Sequence, residues 1–275
     1  MTAIMLWGTS SNAGKTTVSA GICRYLAREG RSVAPYKASN LSLNSCVTSS
    51  GAEIGIGQAI QAWACRLEPE GDMNPILLKP AGKGVIQYVI NGHVHTGGIP
   101  SFKEKMDVAC RAFDRMSERY DDIICEGSGS PAEVNMTDRD VANVGIVRER
   151  PMSVVLVSDI ERGGVFAAIY GTWLLIPEDV RPMMRGFIIN RFRGEVSILK
   201  SAIDRIEELT GMKCLGVLPY RRLILPDEDS ISDRESSGGY DDIRKAYEDS
   251  LDAMADLIEE NLDIDLLKKL IQARD

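Results

Sequence analysis

Lys15 and Thr16 carry the most chemistry in this chain. They lie in the run Gly8-Thr9-Ser10-Ser11-Asn12-Ala13-Gly14-Lys15-Thr16-Thr17. Apolar residues 3–7 lead in as a strand, and residues 18–26 leave as a helix. In that setting small residues let backbone N–H groups point at phosphate oxygens, and the helix N-terminus adds partial positive charge. Lys15 is placed to reach β- and γ-phosphates, and the Thr16 hydroxyl to ligate Mg²⁺. Residues 9–17 are therefore read as a P-loop for a nucleoside triphosphate. The usual G-x-x-x-x-G-K-[ST] pattern would put its first glycine at position 9, where this chain has Thr9; Gly8 stands one residue early.

Other candidates follow apolar runs. Lys37 ends one run and precedes Asn40 and Asn44; a lysine there can hold an anionic substrate or a transferring phosphoryl group, or can be a plain surface residue. Glu53 begins a helical run, as a Mg²⁺ ligand or as a first-turn charge favoured by the helix dipole. The run Asp122-Ile123-Ile124-Cys125-Glu126 ends in a carboxylate and a small-residue turn. Phosphate-transfer enzymes place such a carboxylate beside the metal. Glu126 is the candidate metal ligand, and Ser128 a candidate substrate contact. Asp159, with Gly163 and Gly164, follows another apolar run and can line the γ-phosphate and acceptor. Asn190 can read a base edge through its amide, with Arg191 or Phe192 packing on the base.

Those residues need a scaffold. Strands are predicted at 3–7, 32–37, 122–126, 153–158, 185–190 and 214–218. Helices are predicted at 15–29, 53–66, 102–119, 164–175, 197–210 and 241–260. Uninterrupted apolar runs such as Ser153-Val154-Val155-Leu156-Val157 suit strands covered on both faces. The alternation implies an α/β chain, a mostly parallel sheet flanked by helices, with ligands at the C-terminal strand ends. Residues 1–230 form the expected nucleotide-binding domain. Within it, the proline-bearing stretch 67–100 reads as an inserted loop and hairpin, with His93 and His95 exposed. Residues 231–240 read as a linker. Residues 241–275 read as a helical tail, docked through Ile243, Tyr247, Leu251, Met254, Ile258 and Leu262.

Composition narrows the function. With 32 Lys and Arg against 40 Asp and Glu, the net charge of −8 gives no broad attraction for nucleic acid. No apolar run reaches the ~18 residues of a membrane span. With no signal peptide either, the chain is expected in the cytoplasm. The cysteines (Cys23, Cys46, Cys65, Cys110, Cys125, Cys214) form no C-x-x-C pair, which disfavours structural zinc; most are predicted to be buried thiols. Acidic surface and amphipathic tail permit a homodimer.

Taken in order, several runs resemble cobyric acid synthase, the glutamine-dependent amidotransferase of cobalamin biosynthesis. They are the P-loop, Asn40-Leu41-Ser42-Leu43-Asn44-Ser45, Asp72-Met73-Asn74-Pro75 through Pro80, Glu126-Gly127-Ser128-Gly129-Ser130 through Asn135, Asp138-Arg139-Asp140 through Asn143, Ser158-Asp159-Ile160-Glu161-Arg162-Gly163-Gly164 through Ala167, Gly186 through Gly194 with Asn190-Arg191-Phe192-Arg193 inside it, and Gly216-Val217-Leu218-Pro219-Tyr220. The resemblance covers about residues 3–230. The early glycine resembles, more distantly, dethiobiotin synthetase, which has this P-loop fold. The resemblance implies ATP and Mg²⁺, and a corrinoid carboxylic acid that is phosphorylated and then amidated by ammonia. It makes Thr16, Glu53 and Glu126 the Mg²⁺ ligands, has Lys15 and Lys37 hold phosphate, and has Asn190 read adenine. It departs in one respect: no Gly-x-Cys-Gly-Gly glutaminase nucleophile is present. That implies a stand-alone synthetase domain, with ammonia from a separate glutaminase subunit or from solution. Two other readings are a dethiobiotin synthetase-like ligase on another carboxylate, and a nucleotide-binding module without catalysis.

Overall fold

The computed structural model describes residues 2–82, 85–224 and 240–273. The chain opens with β1 (Thr2–Gly8), α1 (Lys15–Arg28) and β2 (Val33–Tyr36). Short strands β3 (Asn40–Leu41), β4 (Ser45–Val47) and β5 (Glu53–Gly55) precede α2 (Ile56–Ala64). Then come β6 (Ile76–Pro80), β7 (Ile86–Ile90), β8 (His93–Val94), α3 (Phe102–Arg119) and β9 (Asp122–Glu126). A π-turn at Val141–Gly145 leads into α4 (Ile146–Glu149), β10 (Ser153–Asp159), α5 (Val165–Leu175) and β11 (Met184–Phe192). The last elements are α6 (Lys200–Thr210), β12 (Lys213–Pro219), α7 (Tyr240–Asn261) and α8 (Ile264–Gln272).

Six strands form one sheet in the order β12-β11-β10-β1-β9-β2, and every neighbouring pair is parallel. The chain leaves β1 for the far edge at β2 and returns through β9, so the order reverses around β1. A crevice at such a switch point is where open parallel sheets bind ligands. Side chains alternate across β1. Ala3, Met5 and Trp7 join the core under α3, α4, α5 and α6, whereas Ile4 and Leu6 join Ile22, Ile60, Ile258 and Leu267 under α1, α2, α7 and α8. Both faces are covered, which is why these strands read as unbroken apolar runs.

The six main strands lie where the sequence predicts them. The helix expected at 53–66 does not: Glu53, Ile54 and Gly55 pair antiparallel with Val47, Cys46 and Ser45, and the helix starts only at Ile56. Gly55 turns the chain between the two. It accepts no Cβ, because that atom would lie 2.4 Å from Asn40 Nδ2. Residues 67–100 contribute β6, β7 and β8, which with β3 make a second, four-stranded sheet. The β7–β8 hairpin turns at Asn91 (φ 50°) and Gly92 (φ 80°), left-handed positions that Asn-Gly adopts readily. His93 and His95 are exposed on it, as expected. Three cysteines, Cys23, Cys65 and Cys125, are buried, while Cys46, Cys110 and Cys214 are only partly so; the expectation that most are buried is corrected, since the last three lie on strand or helix positions near an edge. Residues 231–239 of the expected linker lie outside the described residues. The tail packs α7 along α1, with Gly21 letting Ile258 and Met254 approach closely; α8, which sequence reading missed, covers β1 and β12. Among the described residues, no helix is long and apolar enough to cross a membrane.

Candidate functional site

The loop after β1 is held by two glycines. Gly14 has φ 95°, and a Cβ on it would fall 2.1 Å from Asn190 Nδ2. The Asn190 amide uses that space to donate to the Ala13 carbonyl at 3.0 Å. Gly8 explains the shifted glycine: the Lys15 side chain folds over it, and a Cβ would meet Lys15 Nζ at 2.8 Å and the Ser10 carbonyl at 2.9 Å. Helix α1 then begins with neither a side-chain cap nor an acidic residue in its first turn, so its N-terminal N–H groups suit an anion. The peripheral helix α3 differs, having a capping box of Ser101 and Glu104. Lys15 Nζ donates to the Ser10 carbonyl at 3.2 Å and to the Gly129 carbonyl at 2.8 Å, reaching the turn beyond Glu126. Thr9 Oγ1 and Ser158 Oγ lie 2.9 Å apart, tying the loop to β10.

Three side chains converge on Glu126 at the end of β9. Thr16 Oγ1 donates to Oε1 at 3.0 Å and Lys37 Nζ to the same oxygen at 2.7 Å. Gln61 Nε2, from α2, donates to Oε2 at 2.5 Å. Lys37 and Glu126 are both buried, with side chains 4% and 1% exposed. A carboxylate at this depth needs its charge balanced and its oxygens hydrogen-bonded, and here it has both. The Lys37 backbone is also fixed: its N–H donates to the Met73 carbonyl at 2.8 Å, and its carbonyl accepts from Asn74 Nδ2 at 3.1 Å.

On the other side of the loop, Arg191 Nη1 donates to the Asn12 carbonyl at 3.0 Å and to Asp159 Oδ2 at 2.8 Å. Asp159 Oδ1 accepts from the Glu161 N–H at 2.7 Å. Asn190 and Arg191 open onto a cavity of about 470 Å³ that also touches Thr17, Pro219, Tyr220, Met254 and Leu257. Its walls mix the polar side chains of Thr17, Glu161, Arg221 and Arg222 with the apolar Leu218, Met254 and Leu257. Two of those walls come from α7, which sequence reading did not connect with the site.

The remaining candidates have partners of their own. Asn40 Nδ2 donates to Gln58 Oε1 at 3.0 Å, and the Asn44 carbonyl accepts from Ser42 Oγ at 2.8 Å. Glu53 is in a strand rather than a helical first turn. It is paired with Lys79 and accepts from Ser45 Oγ at 2.5 Å. Partial burial pushes the Glu53 carboxyl up, but Lys79 and Ser45 together outweigh that and hold it below its ordinary value. The Ser128 carbonyl accepts from Asn143 Nδ2 at 2.8 Å, and Asn143 is in turn held by Asp140. Burial raises the Asp140 pKa although the N–H groups of Asn143 and Val144 bond it. Asn143 ends one of the runs that carry the resemblance, whereas Gln61 carries no motif signal. Gln61 lies four residues after Gly57 on a helix whose start the sequence misplaces.

The fit of Mg²⁺ rests on Thr16 and Glu126, whose hard oxygens lie 3.0 Å apart beside the phosphate loop. Few protein oxygens are needed, because Mg²⁺ keeps waters and takes phosphate oxygens. Among the described residues no group of three His, Cys, Asp or Glu gathers as a metal centre.

Residues 4–230 match the CobQ/CobB/MinD/ParA nucleotide binding domain model. A probable cobyric acid synthase of Methanosphaerula palustris is 48% identical over 243 residues, 86% of this chain and 50% of that protein. One of Methanoregula boonei is 49% identical over 235 residues, covering 83% and 49%. One of Archaeoglobus fulgidus is 47% identical over 242 residues, covering 86% and 52%. The chain thus spans about half the length of these curated relatives. Among solved structures, the MinD cell division protein of Aquifex aeolicus matches with a TM-score of 0.51 at 14% identity, over 94% of this chain and 96% of that one. That likeness shows the fold alone. The sheet order, the phosphate loop and the match over residues 4–230 together place this chain in the CobQ/CobB/MinD/ParA nucleotide binding domain family.

Proposed function

We propose that this chain uses ATP to activate a side-chain carboxylate of a corrinoid and converts it to an amide with ammonia. The observation that carries the reading is the set Thr16, Lys37 and Glu126, the last two buried, joined beside the phosphate loop. Similarity to proteins named probable cobyric acid synthase supports the substrate class.

In this reading the P-loop from Thr9 to Thr17 cradles the phosphates through its N–H groups. Lys15 leaves the Gly129 carbonyl for a phosphate oxygen. Asn190 and Arg191 face the base. Lys37 lies at the acceptor end, where its ammonium counters charge on the transferring group, and Asp159 holds Arg191. Asn40, Asn44 and Ser128 line the acceptor side. The carboxylate oxygen attacks the γ-phosphorus, the bond to the β-phosphate oxygen breaks, and ADP leaves. Ammonia then attacks the acyl carbon and expels phosphate. Thr16 and Glu126 would hold Mg²⁺, which when bound neutralises phosphate charge. Glu53 as a further ligand rests on resemblance alone, because its carboxylate is engaged by Lys79 and Ser45.

Ammonia arriving from outside the described residues agrees with the thiols. Burial pushes Cys46, Cys65, Cys110 and Cys125 up, and pushes Cys214 up to about 11. An activated nucleophilic thiol is shifted the other way. In this reading ammonia reaches the site from a glutaminase or from solution, and the chain acts in the cytoplasm, as a monomer or homodimer.

The test is phosphate release with corrinoid carboxylic acids, ATP and ammonium chloride. With ¹⁸O in the substrate carboxylate, one labelled oxygen should appear in the released phosphate. Turnover without label transfer rules out the acyl phosphate. Turnover that ignores corrinoids but uses another carboxylate rules out the substrate class.

A further inference from the structure

Gln61 has no role in any reading of the sequence, yet it touches the residues that matter most. Its side chain is fully buried. Nε2 lies 2.5 Å from Glu126 Oε2 and 3.4 Å from the Thr16 carbonyl. It thus bridges helix α1, which carries one candidate metal ligand, and strand β9, which carries the other.

The orientation of the amide is costly. A carboxylate only accepts hydrogen bonds, so Gln61 must present its NH₂ group to Glu126. That turns Oε1 into the interior, where it has no hydrogen-bond partner among the described residues. A buried acceptor without a partner is unfavourable. A leucine or methionine would fill the same space without that loss. The amide is thus held at a cost to stability, and its nearer contact is Glu126.

Glu126 is divided between its two oxygens. Oε2 takes the neutral amide, while Oε1 takes the Thr16 hydroxyl and the Lys37 ammonium. Lys37 is the only cation among these contacts. A divalent cation beside Thr16 and Oε1 would meet that ammonium at close range, and two cations repel strongly in a buried site. The phosphates of a bound nucleotide offer Lys37 another partner. Its backbone is pinned at both the N–H and the carbonyl, so the change is confined to the side chain.

We propose that Gln61 is a positioning residue: it clamps Glu126 Oε2 and leaves Oε1 as the oxygen that Lys37 yields to a divalent cation. The inference rests on the reading of Glu126 as a metal ligand. Gln61 touches neither nucleotide nor substrate and acts through Glu126.

The experiment measures Mn²⁺ binding by electron paramagnetic resonance, with and without ADP, and ADP binding in EDTA. The proteins are wild type, Gln61→Met, Gln61→Asn, Lys37→Met and Glu126→Gln. Gln61→Met should weaken Mn²⁺ binding in the presence of ADP about tenfold while leaving ADP affinity in EDTA unchanged. Gln61→Asn, with the amide drawn back by one methylene, should lose about threefold, and it carries the test should the methionine variant not fold. Lys37→Met should bind Mn²⁺ without ADP at least tenfold more tightly than wild type. A purely structural Gln61 would lower thermal stability and leave Mn²⁺ affinity as it was, which overturns the proposal. Lys37→Met with no gain in Mn²⁺ binding overturns the exchange on Oε1. Glu126→Gln that binds Mn²⁺ with ADP as wild type does overturns the metal-ligand reading itself, and the inference with it.

Discussion

Gly14 and Asn190 interlock, and the interlock can be measured. In Gly14→Ala two effects add. The left-handed backbone at φ 95° costs an alanine ~1–2 kcal/mol. The new Cβ, 2.1 Å from Asn190 Nδ2, also expels the amide and breaks its bond to the Ala13 carbonyl, a net loss of ~1 kcal/mol. The substitution should therefore cost about 2–3 kcal/mol in urea unfolding, and lower Tm by roughly 5 °C for a chain of this size. Asn190→Ala alone should cost ~1 kcal/mol. In that background the clash is gone, and Gly14→Ala should cost only the backbone part, ~1–2 kcal/mol. The double-mutant cycle should show a coupling of about 1 kcal/mol, well outside the additivity expected of separate sites. Equal costs in the two backgrounds would refute the packing of Asn190 against Gly14. Titration with a fluorescent ADP should track the same cycle, since the loop strained by Gly14→Ala is the one that must close on phosphate.

Other consequences are simpler to read. Gly8→Ala puts a methyl group where Lys15 Nζ and the Ser10 carbonyl now lie; it should weaken nucleoside triphosphate binding about tenfold, ~1.4 kcal/mol, measured by calorimetry, with AMP binding little changed. Leu257→Ala and Met254→Ala enlarge the cavity beside Asn190 and should weaken ADP severalfold while leaving pyrophosphate affinity intact, seen by competition. Glu53 has its carboxyl held below the ordinary value by Lys79 and Ser45 against the opposing effect of burial. Such a group contributes stability above its unfolded pKa and loses it as pH falls through the folded one. Lys79→Met leaves burial opposed only by Ser45, so the Glu53 carboxyl should titrate at higher pH by NMR, and the variant should be less stable near neutral pH while losing less stability than wild type on acidification.

Much of this architecture was legible because the strands are covered on both faces and are therefore apolar without interruption. Ser153-Val154-Val155-Leu156-Val157 could hardly be anything else. The phosphate loop was legible because its glycines answer to geometry: Gly14 to a left-handed turn and Gly8 to the folded-back lysine. What sequence alone did not show are contacts between elements distant in the chain. Gln61 is an ordinary helix residue until α2, packed on α1 and β2, brings it to Glu126. Met254 reads as a core position of an amphipathic helix, and it is, but with Leu257 it also walls the cavity. Glu53 was misplaced because Ala52-Glu53-Ile54-Gly55-Ile56 has helical spacing, while the pairing of Val47, Cys46 and Ser45 takes its first three helical positions into a strand. Tertiary pairing overrode local pattern there.

The strand order has a consequence for how such a protein can change its trade. Across the sheet edge, β2, β9, β1, β10, β11 and β12 deliver Lys37, Glu126, the phosphate loop, Asp159, Asn190 and Pro219 in turn. Five strand spacings make this line about 24 Å long. On the proposed assignment the base end depends on β11, β12 and α7, and the acceptor end on the segment that leaves β2. The second sheet, whose strands all lie between β2 and β9 in the chain, belongs to that segment. Insertion, loss or redesign there could alter which acid is activated while the machinery that grips the nucleotide stays as it is. On that assignment fuel and cargo are separated along a single line, and the two halves can evolve on different schedules.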